Sequence, residues 1–281
     1  MSTSINLDID TAEVNNTEQD ALPYLGFSDS NMALNQMLKI TEDLRYVYQE
    51  KKEALLATNA AHHEVLMRLA MAAEFRDEDT GVHIIRIGYM AEKLSLLLGQ
   101  SEEFGFMIRL AAPMHDVGKI GIPDSILKKP GKLDPDERVI MDTHSEIGYK
   151  ILANSTVPLF QLAATVALTH HEKFDGTGYP NQSQGKSIAI AGRIVALIDF
   201  FDALTMDRCY RKSFSDDVAI EMVLEQKGKH FDPEIVDVFL ANIDDFIALR
   251  QRINLNPINY AQLINYSLET FNAESSTQPA T

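Results

Sequence analysis

The sequence of 281 residues contains a single cysteine, Cys209, and no tryptophan. One cysteine cannot form an intramolecular disulfide, which suits a reducing compartment, so we predict a cytoplasmic location. The chain opens without a signal-peptide pattern and lacks an uncharged apolar run of about 18 residues. Its longest apolar candidate, Ser187 to Leu204, is interrupted by Arg193 and Asp199. The sequence therefore predicts no membrane insertion.

Basic residues are scarce, with 25 Lys and Arg against 41 Asp and Glu, a formal net charge of -16. Nucleic acid polymers and anionic membranes bind basic surfaces, so this balance argues against both as general partners. It does not exclude a small anionic substrate, because metal ions and a few local basic side chains can reverse the potential inside one cleft. A hydrophobic content of 45% with 23% charged residues is typical of a globular, core-forming protein.

The chain divides by pattern into four segments. Residues 1–30 are acidic and polar without periodicity, which predicts a disordered tail. Residues 31–69 have a helical pattern that fits either a helix packed on its own domain or a dimerisation helix of a homodimer. Its apolar residues follow a three-four-three spacing: Met37, Ile40, Leu44 and Val47. Residues 70–253 read as the main domain, and residues 254–281 as a C-terminal tail.

The main domain is predicted to be a series of helices. Apolar periodicity and capping residues mark the helices, whereas alternating strand patterns are scarce, so the fold class is all-α. The expected helices cover approximately residues 81–99, 101–118, 134–152, 159–171 and 189–204, with two more that begin at Ser215 and Asp232.

Histidine and carboxylate side chains recur near the ends of these helices. His115 and Asp116 are adjacent, and neighbouring side chains on a helix point about 100° apart, so the pair can approach one site from two directions. Asp79 and His83 are spaced i,i+4, which places both on one face if the turn there is regular. The candidate metal ligands are Asp79, His83, His115, Asp116, His144, His170, His171 and Asp199.

A single histidine on an apolar helix is more often a hydrogen-bonded core residue than a ligand. Five such histidines with three carboxylates favour a metal centre, because burying so many titratable groups without a metal is costly. Imidazole and carboxylate together suit iron, manganese, zinc or nickel. The remaining histidines, His62, His63 and His230, lack a partner pattern, and we interpret them as ordinary residues.

Six segments between about Ala70 and Leu240 resemble, in order, the HD-GYP phosphodiesterases. A set of this length in one order is far more specific than any single motif within it. The segments are Arg76–His83 (RDEDTGVH), His115–Lys119 (HDVGK), His170–Pro180 (HHEKFDGTGYP), Asp199–Thr205 (DFFDALT), Asp207–Arg211 (DRCYR) and Phe231–Glu234 (FDPE).

The resemblance implies an HD-domain helical core, here with an N-terminal helical extension, that carries two or three divalent metal ions, commonly iron or manganese. It implies hydrolysis of cyclic di-GMP to linear pGpG and often on to GMP. Some relatives prefer 3′,3′-cyclic GMP-AMP, and a weakly active cyclic-dinucleotide sensor or adaptor is a further alternative. Asp79 stands where three-metal members have the longer Glu, which favours two ions. Cys209 replaces a usual proline and loosens the local backbone.

The resemblance also implies a role for each matching residue. It assigns metal ligation to His83, His115, Asp116, His144, His170, His171 and Asp199, with Asp116 as the bridging carboxylate and a catalytic residue. Lys119 is expected to act in catalysis, donating to a phosphate oxygen or assisting the leaving group. Asp202, Arg208 and Arg211 are expected substrate contacts. The loop of Gly178, Tyr179 and Pro180 could shape the pocket wall, bind guanine or dock a signalling-protein partner.

Overall fold

The computed structural model describes residues 27–76, 81–207, 212–255 and Leu263. Regular structure within these ranges is helical, and the one β-type feature there is an isolated parallel bridge between Lys227 and Phe231. The predicted all-α fold class is therefore confirmed. Most of the predicted tails, residues 1–26 and 264–281, lie outside the described residues.

The α-helices of the described residues are α1 (Phe27–Glu74), α2 (Val82–Leu97), α3 (Glu102–Ala111), α4 (Asp124–Leu127), α5 (Pro135–Asp142), α6 (His144–Leu152), α7 (Pro158–Thr169), α8 (Ile190–Thr205), α9 (Asp216–Glu225), α10 (Pro233–Ala241) and α11 (Ile243–Leu255). Short 3-10 helices cover Ala112–Met114, Val117–Gly121 and Gly185–Ser187.

The chain splits into two compact units, residues 1–56 and 57–281. In the described part of the first unit, α1 carries apolar side chains that are largely exposed. Met37, Leu44 and Val47 have 68%, 64% and 57% of their surface exposed. The predicted segment boundaries at residues 69/70 and 253/254 both fall inside helices, α1 and α11, and stay predictions.

The second unit is built around the apolar faces of α2 and α8. The predicted stripe of α2 is buried at Ile84, Ile87, Ala91 and Leu94, each with at most 1% of its surface exposed. Helix α8 buries Ile194, Val195, Leu197 and Ile198 completely. Burial of these side chains stabilises the fold. The packed helices in turn fix the positions of the helix ends that carry the candidate ligands.

The segment that contains His115 and Asp116 departs from the predicted helix over 101–118. Ser101 caps α3 as expected, accepting from the Phe104 amide at 3.2 Å, but α3 ends at Ala111. Pro113 lacks a backbone N–H and its ring crowds the preceding turn, so the α-helix does not continue. His115 and Asp116 lie between the 3-10 helices Ala112–Met114 and Val117–Gly121.

The predicted helix over 134–152 is also divided. Asp134 caps α5 in a capping box with Glu137, as its sequence indicates. The helix then ends at Thr143, whose hydroxyl and amide both donate to the Ile140 carbonyl, at 2.6 and 3.1 Å. Such local hydrogen bonding competes with helix continuation. His144 therefore opens a separate helix, α6.

Candidate metal centre

Seven of the eight candidate ligands are described, and their side chains form two adjoining groups. His83 lies in the first turn of α2, and His144 is the first residue of α6. His170 caps α7, with His171 next to it, and Asp199 projects from α8. The eighth candidate, Asp79, lies outside the described residues. The helix carrying His83 begins at Val82, directly after Gly81 with φ of 73°.

The first group consists of His83, His115 and Asp199. The Oδ1 atom of Asp199 lies 3.5 Å from His83 Nε2 and 3.7 Å from His115 Nε2. Both histidines are buried, with 5% and 0% of their surface exposed. Two imidazole nitrogens and one carboxylate oxygen thus converge on a common point.

The second group consists of Asp116, His144, His170 and His171. The Oδ1 atom of Asp116 lies 3.3 Å from His144 Nε2 and 3.7 Å from His170 Nε2. The two Nε2 atoms are 3.4 Å apart. One ligand atom from each of the four residues lies within 4.8 Å of all the others.

Asp116 connects the two groups. While its Oδ1 faces His144 and His170, its Oδ2 lies 3.3 Å from Nε2 of His115 in the first group. Each oxygen of one carboxylate therefore points to a different group, which is the arrangement expected of a ligand shared by two cations.

In three of the five histidines the other ring nitrogen, Nδ1, lies against a backbone carbonyl. Nδ1 of His115 lies 3.0 Å from the Ala112 carbonyl, and Nδ1 of His144 lies 2.7 Å from the Met141 carbonyl. Nδ1 of His170 is 3.0 Å from the Ala167 carbonyl. A carbonyl can only accept, so each Nδ1 carries a proton, and each Nε2 is turned to the centre of its group.

Two buried polar atoms test whether these residues fit a metal. His115 Nε2 and Asp116 Oδ1 are inaccessible to water and lack a hydrogen-bond partner within the described part of the chain. Burying such atoms unpaired is unfavourable, and a cation would satisfy both. The nitrogen and oxygen donors therefore fit two divalent metal ions of the kind that imidazole and carboxylate ligands bind.

The electrostatics of the centre differ between the groups. Burial lowers the pKa of His144 to about 4 and holds the pKa of His171 well below its usual range. Both rings are therefore neutral at pH 7, as ligation requires. Burial also acts to lower the pKa of His115, but the carboxylates of Asp116 and Asp199 outweigh it and raise the pKa to about 9.

Asp202 has a different environment from the one expected of a substrate contact. Its carboxylate is 1% exposed, with Oδ2 2.7 Å from His83 Nδ1 and Oδ1 2.6 Å from Arg86 Nε. Burial opposes ionisation of Asp202, yet Arg86 and His83 outweigh it and hold its pKa below the usual range. This carboxylate orients a candidate ligand from behind, and its contact with substrate stays a prediction.

Lys119 lies at the edge of the centre. Its Nζ is 2.8 Å from Asp116 Oδ2, and 20% of its side chain is exposed. Burial acts to raise the pKa of Asp116, but Lys119 and His115 outweigh burial and hold this pKa well below its usual value.

Gly118, the residue before Lys119, lies directly against α6. A Cβ atom at Gly118 would come within 1.8 Å of the His144 carbonyl oxygen, so a glycine is required there.

The loop of Gly178, Tyr179 and Pro180 lies against the second group. The Tyr179 ring stacks on His171 with centroids 4.8 Å apart and an interplanar angle of 28°. Burial, followed by the nearby Asp142 carboxylate, raises the pKa of the Tyr179 hydroxyl. A Cβ atom at Gly178 would lie 2.3 Å from the Lys173 amide nitrogen, so the glycine permits this close approach. Contact of this loop with substrate stays a prediction.

Some of the sequence predictions concern residues outside the described ranges. One residue of the site was not predicted. Arg208, Arg211 and Cys209 lie outside the described ranges. Arg86 and its contact with Asp202 were not predicted, although the i,i+3 spacing between His83 and Arg86 places both on one face of α2. Over the described ranges, none of the helices has both the length and the apolar character that a membrane span requires.

The fold and these residues define an all-α domain with a candidate dinuclear metal centre. A family model described as the HD domain matches residues 49–235, which is more than half of the chain. The chain belongs to the HD-domain family, which confirms the predicted HD-domain core.

Curated relatives share much of the sequence. The 3′3′-cGAMP-specific phosphodiesterase 2 of Vibrio cholerae serotype O1 is 42% identical over 237 residues, covering 82% of this chain and 44% of that protein. A cyclic di-GMP phosphodiesterase of Thermotoga maritima is 41% identical, covering 72% and 61%. The cyclic di-GMP phosphodiesterase response regulator RpfG of Xanthomonas campestris pv. campestris is 41% identical, covering 74% and 56%. The chain thus spans between 44% and 61% of the length of these relatives.

Proposed function

We propose that the chain is a metal-dependent phosphodiesterase that hydrolyses a cyclic dinucleotide, with cyclic di-GMP as the leading substrate. The observation that carries this proposal is the position of Asp116, whose two oxygens face two separate groups of histidine nitrogens. Relatives named as cyclic di-GMP phosphodiesterases match most of this chain at 41% identity.

Two divalent ions, iron or manganese, would be held by the two groups. His83, His115 and Asp199 would bind one ion, and His144, His170 and His171 the other, with Asp116 shared. A third ion would need Asp79, whose side chain is one methylene shorter than the Glu of three-metal relatives. Ions bound there would activate water as a nucleophile and neutralise charge on the phosphate.

The side chains around the ions would direct the substrate. Hydrolysis joins a water oxygen to phosphorus, breaks the bond from phosphorus to the ribose 3′ oxygen, and delivers a proton to that oxygen. The Lys119 ammonium, partly exposed beside Asp116, is suited to donate to a non-bridging phosphate oxygen. The product would be linear pGpG, with a second round giving GMP. Arg208 and Arg211 are proposed to hold the second phosphate.

A second substrate, 3′,3′-cyclic GMP-AMP, is supported by a relative at 42% identity whose name specifies that molecule. The two substrates differ in one base only, so they share the phosphate chemistry of the centre. The choice between them would depend on base contacts rather than on the metal ligands.

The remaining proposals concern partners. A homodimer through residues 31–69 is supported by the exposed apolar side chains of α1, such as Met37 and Leu44. A cytoplasmic location is proposed from the single cysteine. Docking of a signalling protein on the 178–180 loop is less favoured, because the Tyr179 ring packs against His171 within the domain.

Elemental analysis of anaerobically purified protein, combined with turnover of cyclic di-GMP and 3′,3′-cyclic GMP-AMP, tests the proposal. We expect about two iron or manganese ions per chain, and a third would implicate Asp79. Asp116→Asn should lose metal and turnover, whereas Asp217→Asn, which makes the same change on the exposed face of α9, should retain both. Metal-free protein that binds a dinucleotide without hydrolysing it would instead establish the sensor alternative.

A further inference from the structure

Arg76, two residues after the end of α1, extends its side chain to a segment more than forty residues further along the chain. Its guanidinium donates to three backbone carbonyls, those of Lys119 at 3.1 Å, of Ile122 at 2.9 Å, and of Ile120. The same group also pairs with the carboxylate of Asp124. These carbonyls lie at the C-terminal end of the 3-10 helix Val117–Gly121. This helix carries Lys119.

The position of Arg76 is itself fixed by α1. Ala70 and Ala73 in the last turns of that helix are buried, with 2% and 4% of their surface exposed. The Arg76 amide then donates to the Ala73 carbonyl at 3.1 Å. The planar guanidinium is therefore held at one place and offers several donors in fixed directions, which suits a set of neighbouring carbonyls.

The 3-10 helix is also held by α6. Gly118 lies against the His144 carbonyl, and Gly121 approaches the Ile147 side chain, where a Cβ atom would be 2.9 Å away. Arg76 and α6 thus both contact this short helix, in addition to the hydrogen bond from the Lys119 amide to the Asp116 carbonyl at 3.0 Å. Removing one of the two supports would free the helix to move.

We infer that Arg76 is a positioning residue, which fixes the 3-10 helix behind Lys119 and so couples the end of α1 to the ammonium beside Asp116. The inference rests on the proposed function, since it assigns Lys119 a place in hydrolysis. Its consequence is that a displacement of the end of α1 changes turnover without contact between α1 and the substrate.

The Asp124 pair does not account for these contacts. Asp124 has 66% of its side chain exposed, and exposed ion pairs contribute little because water screens them. The carbonyls of Lys119 and Ile122 are the partly buried contacts of the guanidinium. Support of the 3-10 helix, rather than surface pairing, is therefore the role that the geometry favours.

The test compares Arg76→Gln and Arg76→Lys with Arg68→Gln, a control on α1 that removes an exposed arginine whose partner among the described residues is Glu64. Full-length manganese-loaded proteins are assayed for kcat and KM with cyclic di-GMP, and for metal content. Hydrogen exchange of the peptide over residues 117–122 is measured in the metal-free proteins, which gives a readout independent of activity.

For Arg76→Gln we expect kcat to fall at least about tenfold, since small misplacements of a catalytic group have effects of this size, with KM and metal content nearly unchanged. Exchange over residues 117–122 should accelerate. Arg76→Lys, which keeps one donor, should recover part of both effects, and Arg68→Gln should match the wild type. If Arg76→Gln fails to fold, the Lys variant carries the same comparison.

Unchanged exchange in the Arg76 variants, or a kcat within about twofold of wild type, would overturn the inference, because the expected effect is five times larger. A fall in kcat that only follows metal loss would overturn it as well. If the wild-type protein hydrolyses no cyclic dinucleotide, the proposed function fails, and the exchange data alone then decide whether Arg76 holds the 3-10 helix.

Discussion

Asp202 accepts a hydrogen bond from Nδ1 of His83 at 2.7 Å, and both side chains are buried. The same carboxylate receives Nε and a terminal nitrogen of Arg86, at 2.6 and 2.8 Å. Arg86 thus holds Asp202, and Asp202 holds the ring of a candidate metal ligand. The orientation of His83 therefore depends on Arg86, which acts on it through Asp202.

Asp202→Asn tests this relationship. The amide retains an acceptor but loses the charge that pairs with Arg86, so we expect metal affinity to fall by about 10- to 100-fold. The buried Arg86 would also lose its charge partner, which should lower the free energy of unfolding. Metal titration and thermal unfolding measure the two effects, with Asp217→Asn as the control. Undiminished metal affinity would show that Asp202 has no part in holding His83.

Gly118→Ala should disturb the centre through the backbone. Its methyl group would overlap the His144 carbonyl oxygen, at 1.8 Å, so either α6 or the 3-10 helix must shift. We expect a loss of about 1–3 kcal/mol or more in the free energy of unfolding, together with reduced metal content. Chemical denaturation and elemental analysis provide the measurements.

Gly105→Ala is the matched control for that change, because the added methyl at Gly105 would meet only side-chain atoms, those of Leu96 and Ser95. These side chains can adjust, so the control should be near neutral. If both variants are equally stable, the close approach of Gly118 to α6 is not a constraint on the fold.

Tyr179 distinguishes a supporting role from a guanine contact. Tyr179→Phe keeps the ring that stacks on His171, so metal affinity should change by less than about threefold, whereas Tyr179→Leu should lower it about tenfold or more. Metal titration and KM are measured for each variant. A raised KM in Tyr179→Leu with intact metal affinity would assign the ring to the substrate instead.

His230 should make stability depend on pH. Burial, and next the charge of Lys173, lower its pKa to about 4, and its ring stacks on Phe231 with centroids 4.3 Å apart. The unfolded chain binds a proton near pH 6.5, so this contribution is present above pH 6.5 and is lost as the pH falls towards 4. The free energy of unfolding should change through His230 by at most about 1.4 kcal/mol per pH unit.

Unfolding of the metal-free protein by denaturant at pH 7 and pH 5 measures that slope. His230→Asn lacks the titrating ring, so its stability should fall less than that of the wild type between these two values. Lys229→Gln, an exposed neighbour, should follow the wild type. An equal loss of stability between pH 7 and pH 5 in all three proteins would exclude His230 as the cause of the pH dependence.

The sequence was sufficient to predict the helices with strong apolar periodicity and the seven candidate ligands that lie in two adjoining groups. The stripe of α2 and the cap of α3 at Ser101 depend on neighbours within one or two turns, so local patterns describe them. The ligands were predicted because histidine and carboxylate recur at spacings that helices bring to one side.

The remaining features depend on contacts that leave no local pattern. The helix over 101–118 ended early because Pro113 interrupts it, and the helix over 134–152 because the Thr143 hydroxyl bonds to Ile140. Asp202 shares a face of α8 with Asp199, yet only the packing of α2 against α8 brings Arg86 to it. Arg76 meets carbonyls 43 to 46 residues away, which spacing along the chain cannot indicate.

The hydrogen bonds from Nδ1 of His115, His144 and His170 to backbone carbonyls have a consequence for selectivity. Folding alone orients these rings, so their positions are set before any ion arrives. Little side-chain entropy is then lost on binding, and one cation can replace another without rearranging its surroundings. Between ions of similar size and coordination, occupancy would then follow the concentrations of the ions around the protein.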